Sequence, residues 1–180
     1  MMRYFLVSSI ILLFTSCAAT SGLKQNVYAP STDNRLWTDE LRNNETLNSY
    51  QVSIQVRGNE ITGTCMLKKS EDGWRGTLVN TFGIKAFDFI VTPQKCELLH
   101  TIALLDKWYI RRTIAGDLHF LFEADNPEAS FQKKTVRSVE QGGILMVRWK
   151  KKNITRIQDD KLILQNQKRK IVYFLNKTPE

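Results

Sequence analysis

Residues 74–91 read WRGTLVNTFGIKAFDFIV, two strand-like runs on either side of the turn Asn80-Thr81-Phe82-Gly83. So short a connection pairs its strands antiparallel, because parallel strands need a long crossover. The turn puts Phe82 at its tip. Loop tips lie in water and are normally polar. A Phe there either folds back onto its own sheet or enters something apolar, and the residues alone leave both open.

Upstream of this hairpin the period is two. Tyr50, Val52, Ile54 and Val56 alternate with Gln51, Ser53, Gln55 and Arg57, the pattern of a half-buried strand. Gly58-Asn59 marks a turn, Ile61, Gly63, Cys65 and Leu67 alternate in the next strand, and Glu71-Asp72-Gly73 is a hairpin signal. Thr92-Pro93 ends the strand after Phe82, since Pro cannot continue a central strand. A further strand is expected over about 95–102. Before this meander, Leu36, Trp37, Leu41 and Leu47 stand about one helical turn or its multiples apart, so a helix is expected over about 35–47, capped from Ser31 to Asn34.

Downstream the period lengthens. Ile110, Ile114, Leu118 and Leu121 share one face of a helix over about 103–124, and Leu105, Trp108, Ala115 and Phe122 share another. A helix apolar on two sides is buried. Asp125-Asn126-Pro127 stops it. Strands are then expected at about 133–140, 143–150, 153–158, 161–166 and 169–175, with turns at Gly142-Gly143, Lys152-Asn153 and Asp159-Asp160. The order helix, strands, buried helix, strands predicts an α+β fold: one curved antiparallel sheet, a half-open barrel, with helices closing its concave side.

The chain's 180 residues suit one domain. A hydrophobic fraction of 42% and a charged fraction of 24% are those of a globular protein. The net charge of +8 would attract nucleic acid, anionic lipid or acidic substrates. The N-terminus chooses among them. Residues 1–17 read MMRYFLVSSIILLFTSC: a basic Arg3, an apolar run from Tyr4 to Phe14, then Thr15 and Ser16 before Cys17. That is a secretory signal over residues 1–16. It resembles a bacterial lipoprotein signal, which implies cleavage before Cys17 and lipidation of that cysteine. Such an anchor is stable, at about 0.8 kcal/mol per buried methylene, and an envelope location makes a nucleic-acid partner improbable. In lipoproteins an Asp after the cysteine favours the inner membrane. Ala18 and Ala19 stand here, so the expected place is the outer membrane, facing the periplasm. Residues 17–34 read as a flexible tether and 35–178 as the folded domain.

Several strands carry apolar groups on both faces. Phe87, Phe89 and Val91 share one side of their strand and Ala86 and Ile90 the other. An antiparallel sheet in water needs only one apolar face. Two fit either sheet-to-helix core contacts or a packed side with an enclosed lumen able to take an acyl chain.

Leu47-Asn48-Ser49-Tyr50-Gln51 after the expected Trp-bearing helix, followed by Tyr- and Trp-led strands and by Asn80-Thr81-Phe82-Gly83, resembles the outer-membrane lipoprotein receptor of the lipoprotein-localisation pathway (LolB-like). Asn80 and Gly83 match that family's Asn-Pro-Leu-Gly turn, while Thr81 and Phe82 replace Pro and Leu. The resemblance is clearest over 36–91. It implies a hydrophobic lumen that accepts the acyl chains of lipoproteins from a soluble periplasmic carrier. It also implies a membrane-inserting loop of Asn80, Phe82 and Gly83 that helps pass them to outer-membrane lipid, with the protein a monomer. Leu78, Ile84, Phe87, Phe89, Trp108, Phe122 and Trp149 are the candidate lumen lining. The alternative is a structural accessory lipoprotein that uses the same fold as a docking platform.

Little points to catalysis. His100 and His119 have no Cys, Asp or Glu at ligand spacing, so no metal or other cofactor is expected. No nucleophile signature occurs, so the expected protein is not an enzyme. Cys65 and Cys96 fall on the second and fifth strands of a meander, too far apart to pair, and are expected to be free, buried thiols. Lys133-Lys134, Lys150-Lys151-Lys152 and Lys168-Arg169-Lys170 are basic clusters near strand ends. They are either a solvated surface or a site for anionic lipid or an acidic carrier.

Overall fold

A computed structural model describes residues 36, 37, 41, 47–56, 58–131, 137–141, 144–157 and 161–178. The signal segment, Cys17, the tether, most of the expected helix at 35–47, Lys133-Lys134, Gly142-Gly143 and Asp159-Asp160 lie outside the described residues.

The first meander contains β1 (Asn48–Val56), β2 (Asn59–Ser70), β3 (Gly73–Asn80), β4 (Lys85–Val91) and β5 (Cys96–Thr101). The helix α1 (Trp108–Glu123) follows. A second meander holds β6 (Arg137–Gln141), β7 (Ile144–Trp149), β8 (Lys152–Ile157), β9 (Lys161–Asn166) and β10 (Ile171–Lys177). All ten join one antiparallel sheet in the order β5-β4-β3-β2-β1-β10-β9-β8-β7-β6. The first strand pairs with the last, with Val52 opposite Leu175 and Ile54 opposite Tyr173. That pairing welds the two meanders. The sheet is curved and unclosed, with β5 and β6 as its free edges, an arrangement consistent with a half-open barrel.

Alternation fixes which face is inside. In β1, Tyr50, Val52 and Ile54 are buried while Gln51 and Gln55 are exposed. α1 packs on the same face. Its Phe122 stacks on Trp37 and on Phe89, and its Phe120 meets Trp149 and Phe131. The helix therefore touches strands from both halves of the sheet. Leu36, Trp37 and Leu41 are buried beside it, and the Trp37 indole N–H donates to the carbonyl of Leu121 at 3.0 Å.

Three expectations need correction. α1 begins at Trp108, not at 103, because the backbone turns twice over 102–106 and the Ile102 N–H still bonds the Ala86 carbonyl of β4 at 3.0 Å. Burial of α1 is confined mainly to Ile114–Glu123, and Trp108 and Tyr109 face solvent. Finally, Lys152 and Asn153 open β8. The chain reverses at Lys150-Lys151, where Lys150 takes a left-handed conformation with φ 54°.

Candidate functional site

The turn after β3 is built by Asn80. Its Oδ1 accepts the backbone N–H of Phe82 at 3.0 Å and that of Ile84 at 2.9 Å. Its own N–H donates to the Ile84 carbonyl at 2.9 Å, and the Gly83 N–H donates to the Asn80 carbonyl at 3.0 Å. Asn is suited to this work because its short amide reaches the backbone two residues on. Gly83 sits at φ 77°, a region where a Cβ is disfavoured. These bonds hold the loop without help from a neighbouring element. They also leave Phe82 85% exposed, with Ile84 exposed beside it. Phe82 does not fold back onto its sheet.

The remaining residues considered for a lumen divide sharply. Leu78, Phe87, Phe89 and Phe122 are buried in one cluster with Trp37 and Trp74. The Trp74 and Phe122 ring centroids are 5.4 Å apart, and those of Phe87 and Phe89 are 6.0 Å apart. Gly76 sits opposite Phe89 in the β3–β4 ladder, and a Cβ there would lie 2.2 Å from the Phe89 ring. The glycine is the space that the ring occupies. Trp149 is half-buried against Phe120 and Phe131, with the Lys150 and Lys152 ammonium groups over its face at 4.7 and 5.6 Å. Ile84 and Trp108 point outward. The interior between α1 and β3–β4 is thus filled by the protein's own side chains.

Two shallow clefts open on the surface instead. One, of about 440 Å³, runs along the other face of β2–β5 and is lined by Met66, Arg75, Thr77, Lys85, Asp88 and His100. There the Thr77 hydroxyl and the Lys85 ammonium bond the Asp88 carboxylate at 2.8 and 2.9 Å. The other, of about 420 Å³, lies between β5 and the start of α1, lined by Cys96, Leu98, Arg111 and Arg112. No group of three His, Cys, Asp or Glu that could hold a metal occurs among the described residues. Cys65 and Cys96 are free, but only Cys65 is buried as expected, Cys96 being half-buried at the edge of this second cleft. Burial pushes both thiols up to about 12, with the Glu97 charge adding to the shift at Cys96.

One polar cluster escaped the sequence reading. Asp117 of α1 is fully buried. It accepts hydrogen bonds from Asn166 Nδ2 at 2.8 Å and from the Tyr173 hydroxyl at 2.9 Å, and it pairs with Lys152 Nζ at 2.7 Å. Lys152 also donates to the Gly116 carbonyl at 2.5 Å. The cluster ties α1 to β8, β9 and β10. Its signal was present: a lone acid next to Leu118 in an otherwise apolar face needs a partner when buried.

The fold and its exposed loop define a class of protein no finer than this: a single open antiparallel sheet with a helix packed on one face, consistent with a half-open barrel. Among solved structures six chains match, one of them described as the crystal structure of MucB. It shares 15% identity over 83% of this chain and 58% of that one, with a TM-score of 0.40. This chain thus spans less than two thirds of that protein, and a likeness at this level carries no argument about function. No protein-family model and no curated protein matches the sequence.

Proposed function

We propose that this chain is an outer-membrane lipoprotein, anchored through Cys17 and facing the periplasm, that receives acyl chains of other lipoproteins and passes them to the membrane. The observation that supports this reading best is Phe82, 85% exposed on a turn braced by Asn80. A side chain so held is ready to enter a bilayer at little cost in ordering. The lipoprotein signal and the LolB-like turn give the reading its cargo, a soluble periplasmic carrier its donor. The role is binding, not catalysis.

Because the interior is filled, an acyl chain could enter only as α1 moves outward. Burying about twelve methylenes contributes roughly 10 kcal/mol. Against it stands the loss of the Phe122 ring contacts with Trp37, Trp74 and Phe89, about 0.5–1.5 kcal/mol each beyond the area they bury. The same filled interior favours a second reading, an accessory lipoprotein that serves as a docking platform for an envelope assembly.

Transfer of a fluorescent-acyl lipoprotein from carrier to liposomes tests the first reading. Phe82→Glu is expected to leave folding unchanged and to slow delivery at least tenfold. Normal delivery by that variant would remove Phe82 from the mechanism. Failure of the wild type to take up any acyl chain, with stable co-purification in a membrane complex, would favour the platform.

A further inference from the structure

We infer that one end of the sheet is a composite membrane-docking rim, in which basic turns read anionic lipid headgroups while Phe82 and its apolar neighbours enter the acyl region. This rests on the reading of Phe82 as a side chain that enters the bilayer.

The pairing register gives the placement. Gly63 pairs with Asn80, Phe87 with Thr101, Val56 with Ile171, and Lys152 with both Asn166 and Trp149. The turns after β1, β3, β7 and β9 and the start of α1 therefore all emerge at the same end of the sheet. Five of the nine large apolar side chains exposed among the described residues lie there: Phe82, Ile84, Leu104, Trp108 and Tyr109. Trp and Tyr favour the boundary between headgroups and hydrocarbon.

The charge at this end is equally lopsided. Lys150, Lys151, Lys168, Arg169 and Lys170 are all exposed. Their turns touch, since the Gln167 N–H donates to the Lys151 carbonyl at 2.9 Å. Among the described residues no carboxylate forms a salt bridge with any of the five. The acids nearby are already engaged: Glu60 with Ser53, and Asp106 with Arg111 and Thr101. Lys150 and Lys170 are the only non-glycine described residues with positive φ, at 54° and 56°. Each thus holds a turn position where glycine or asparagine would be easier. Both residues are exposed, the Lys150 ammonium lying over the Trp149 ring at 4.7 Å. The opposite end instead carries the acidic turn Glu71-Asp72. Each lysine or arginine at an anionic surface is worth about a fivefold gain in partition. The five basic side chains, with no carboxylate partner among the described residues, stand on turns four and six strand spacings along the same rim from the Phe82 turn. They fit an extended bilayer surface better than a protein groove, because the rim is a row of separate turns with no shared cavity.

Hydrogen exchange on the full lipid-anchored chain, reconstituted in vesicles, tests the assignment. Neutral phosphatidylcholine vesicles are compared with vesicles holding about a third phosphatidylglycerol. In the anionic vesicles, backbone amides over 150–151 and 167–170 should slow at least fivefold together with those over 82–84. In molar salt, where the Debye length is about 3 Å, the gain at the basic turns should vanish. Lys168→Glu with Lys170→Glu should abolish it without changing protection in β9 and β10. Protection over 82–84 alone would leave Phe82 as a membrane residue and overturn the electrostatic rim. Protection at neither place would overturn both readings. Protection by soluble polyglutamate but not by anionic vesicles would assign the basic turns to an acidic protein and overturn the inference.

Discussion

The hydroxyl of Tyr173 on β10 donates to Oδ2 of Asp117 on α1 at 2.9 Å, and both groups are buried. That one contact fixes the helix to the central seam where the first and last strands meet. Removing the carboxylate would leave an ammonium, an amide and a hydroxyl in a low-dielectric interior. Asp117→Ala should therefore cost about 3–5 kcal/mol, the penalty of breaking a buried ion pair from one side. Tyr173→Phe removes one bond and leaves Asp117 two other partners, so about 1–2 kcal/mol is expected. Urea unfolding of the two variants measures both.

The same contact makes stability depend on alkaline pH. Burial, and then the neighbouring Asp117 charge, holds the Tyr173 hydroxyl well above its ordinary value of 10.0. In the unfolded chain the phenol ionises near that value, while in the folded chain it stays neutral. The unfolded state then binds fewer protons, and stability falls as pH rises. The contribution is complete below about pH 10 and is lost above it, at no more than about 1.4 kcal/mol per pH unit. The difference between wild type and Tyr173→Phe, measured by unfolding from pH 8 to 11, should shrink in the alkaline range.

Two glycines should respond in opposite directions to a methyl group. At Gly76 the added Cβ would strike the Phe89 ring at 2.2 Å, so Gly76→Ala should destabilise by about 1–3 kcal/mol through overpacking. At Gly116 the nearest atom is Lys152 Nζ at 3.6 Å, an ordinary contact. Gly116→Ala should stabilise α1 by up to about 1 kcal/mol, the helix-propensity difference. Thermal melts of the pair decide whether the core around Phe89 is as full as its geometry indicates.

The thiols should be inert in the folded protein. With Cys65 pushed up to about 12 by burial, and Cys96 to about 12 by burial and the Glu97 charge, both stay in the thiol form at pH 8. They lie on β2 and β5, with β3 and β4 between. Neighbouring strands are about 4.8 Å apart, too wide a total separation for a disulfide, which needs α-carbons within about 7 Å. Labelling by a thiol reagent should be slow in buffer, complete within the mixing time in denaturant, and unchanged by prior oxidation.

The hairpins were legible in the sequence because their punctuation is local. Glu71-Asp72-Gly73, Thr92-Pro93 and the alternation from Tyr50 to Val56 each set an element without reference to anything distant. The pairing of β1 with β10 was not legible, since residues some 120 apart in sequence meet there and neither strand names its partner. Burial misled in another way. Apolar residues on two faces of β4 describe a filled core and an empty lumen equally well, and only the position of Phe122, Trp37 and Gly76 around Phe89 distinguishes them. The expected start of the helix at 103 failed for a polar reason. Arg111 clamps Asp106 and Thr101 at 2.7 and 3.0 Å and holds 102–106 as turns, an interaction with no periodic trace.

The turn at Phe82 offers the most direct link between local geometry and the proposed role. Asn80→Ala removes the acceptor for the N–H groups of Phe82 and Ile84, while the backbone bond between Asn80 and Ile84 survives. Both orphaned donors are exposed and can turn to water, so the global cost should be small, about 1 kcal/mol or less. What is lost is the fixed direction of the Phe82 side chain. Amide exchange over 81–84 should accelerate at least tenfold in Asn80→Ala and remain near wild type in Asn80→Asp, whose carboxylate can accept the same two bonds. If delivery to liposomes depends on a preset Phe82, Asn80→Ala should slow it with the aromatic still present, and Asn80→Asp should restore it. Equal delivery by both variants would mean that the apolar group matters and its presentation does not.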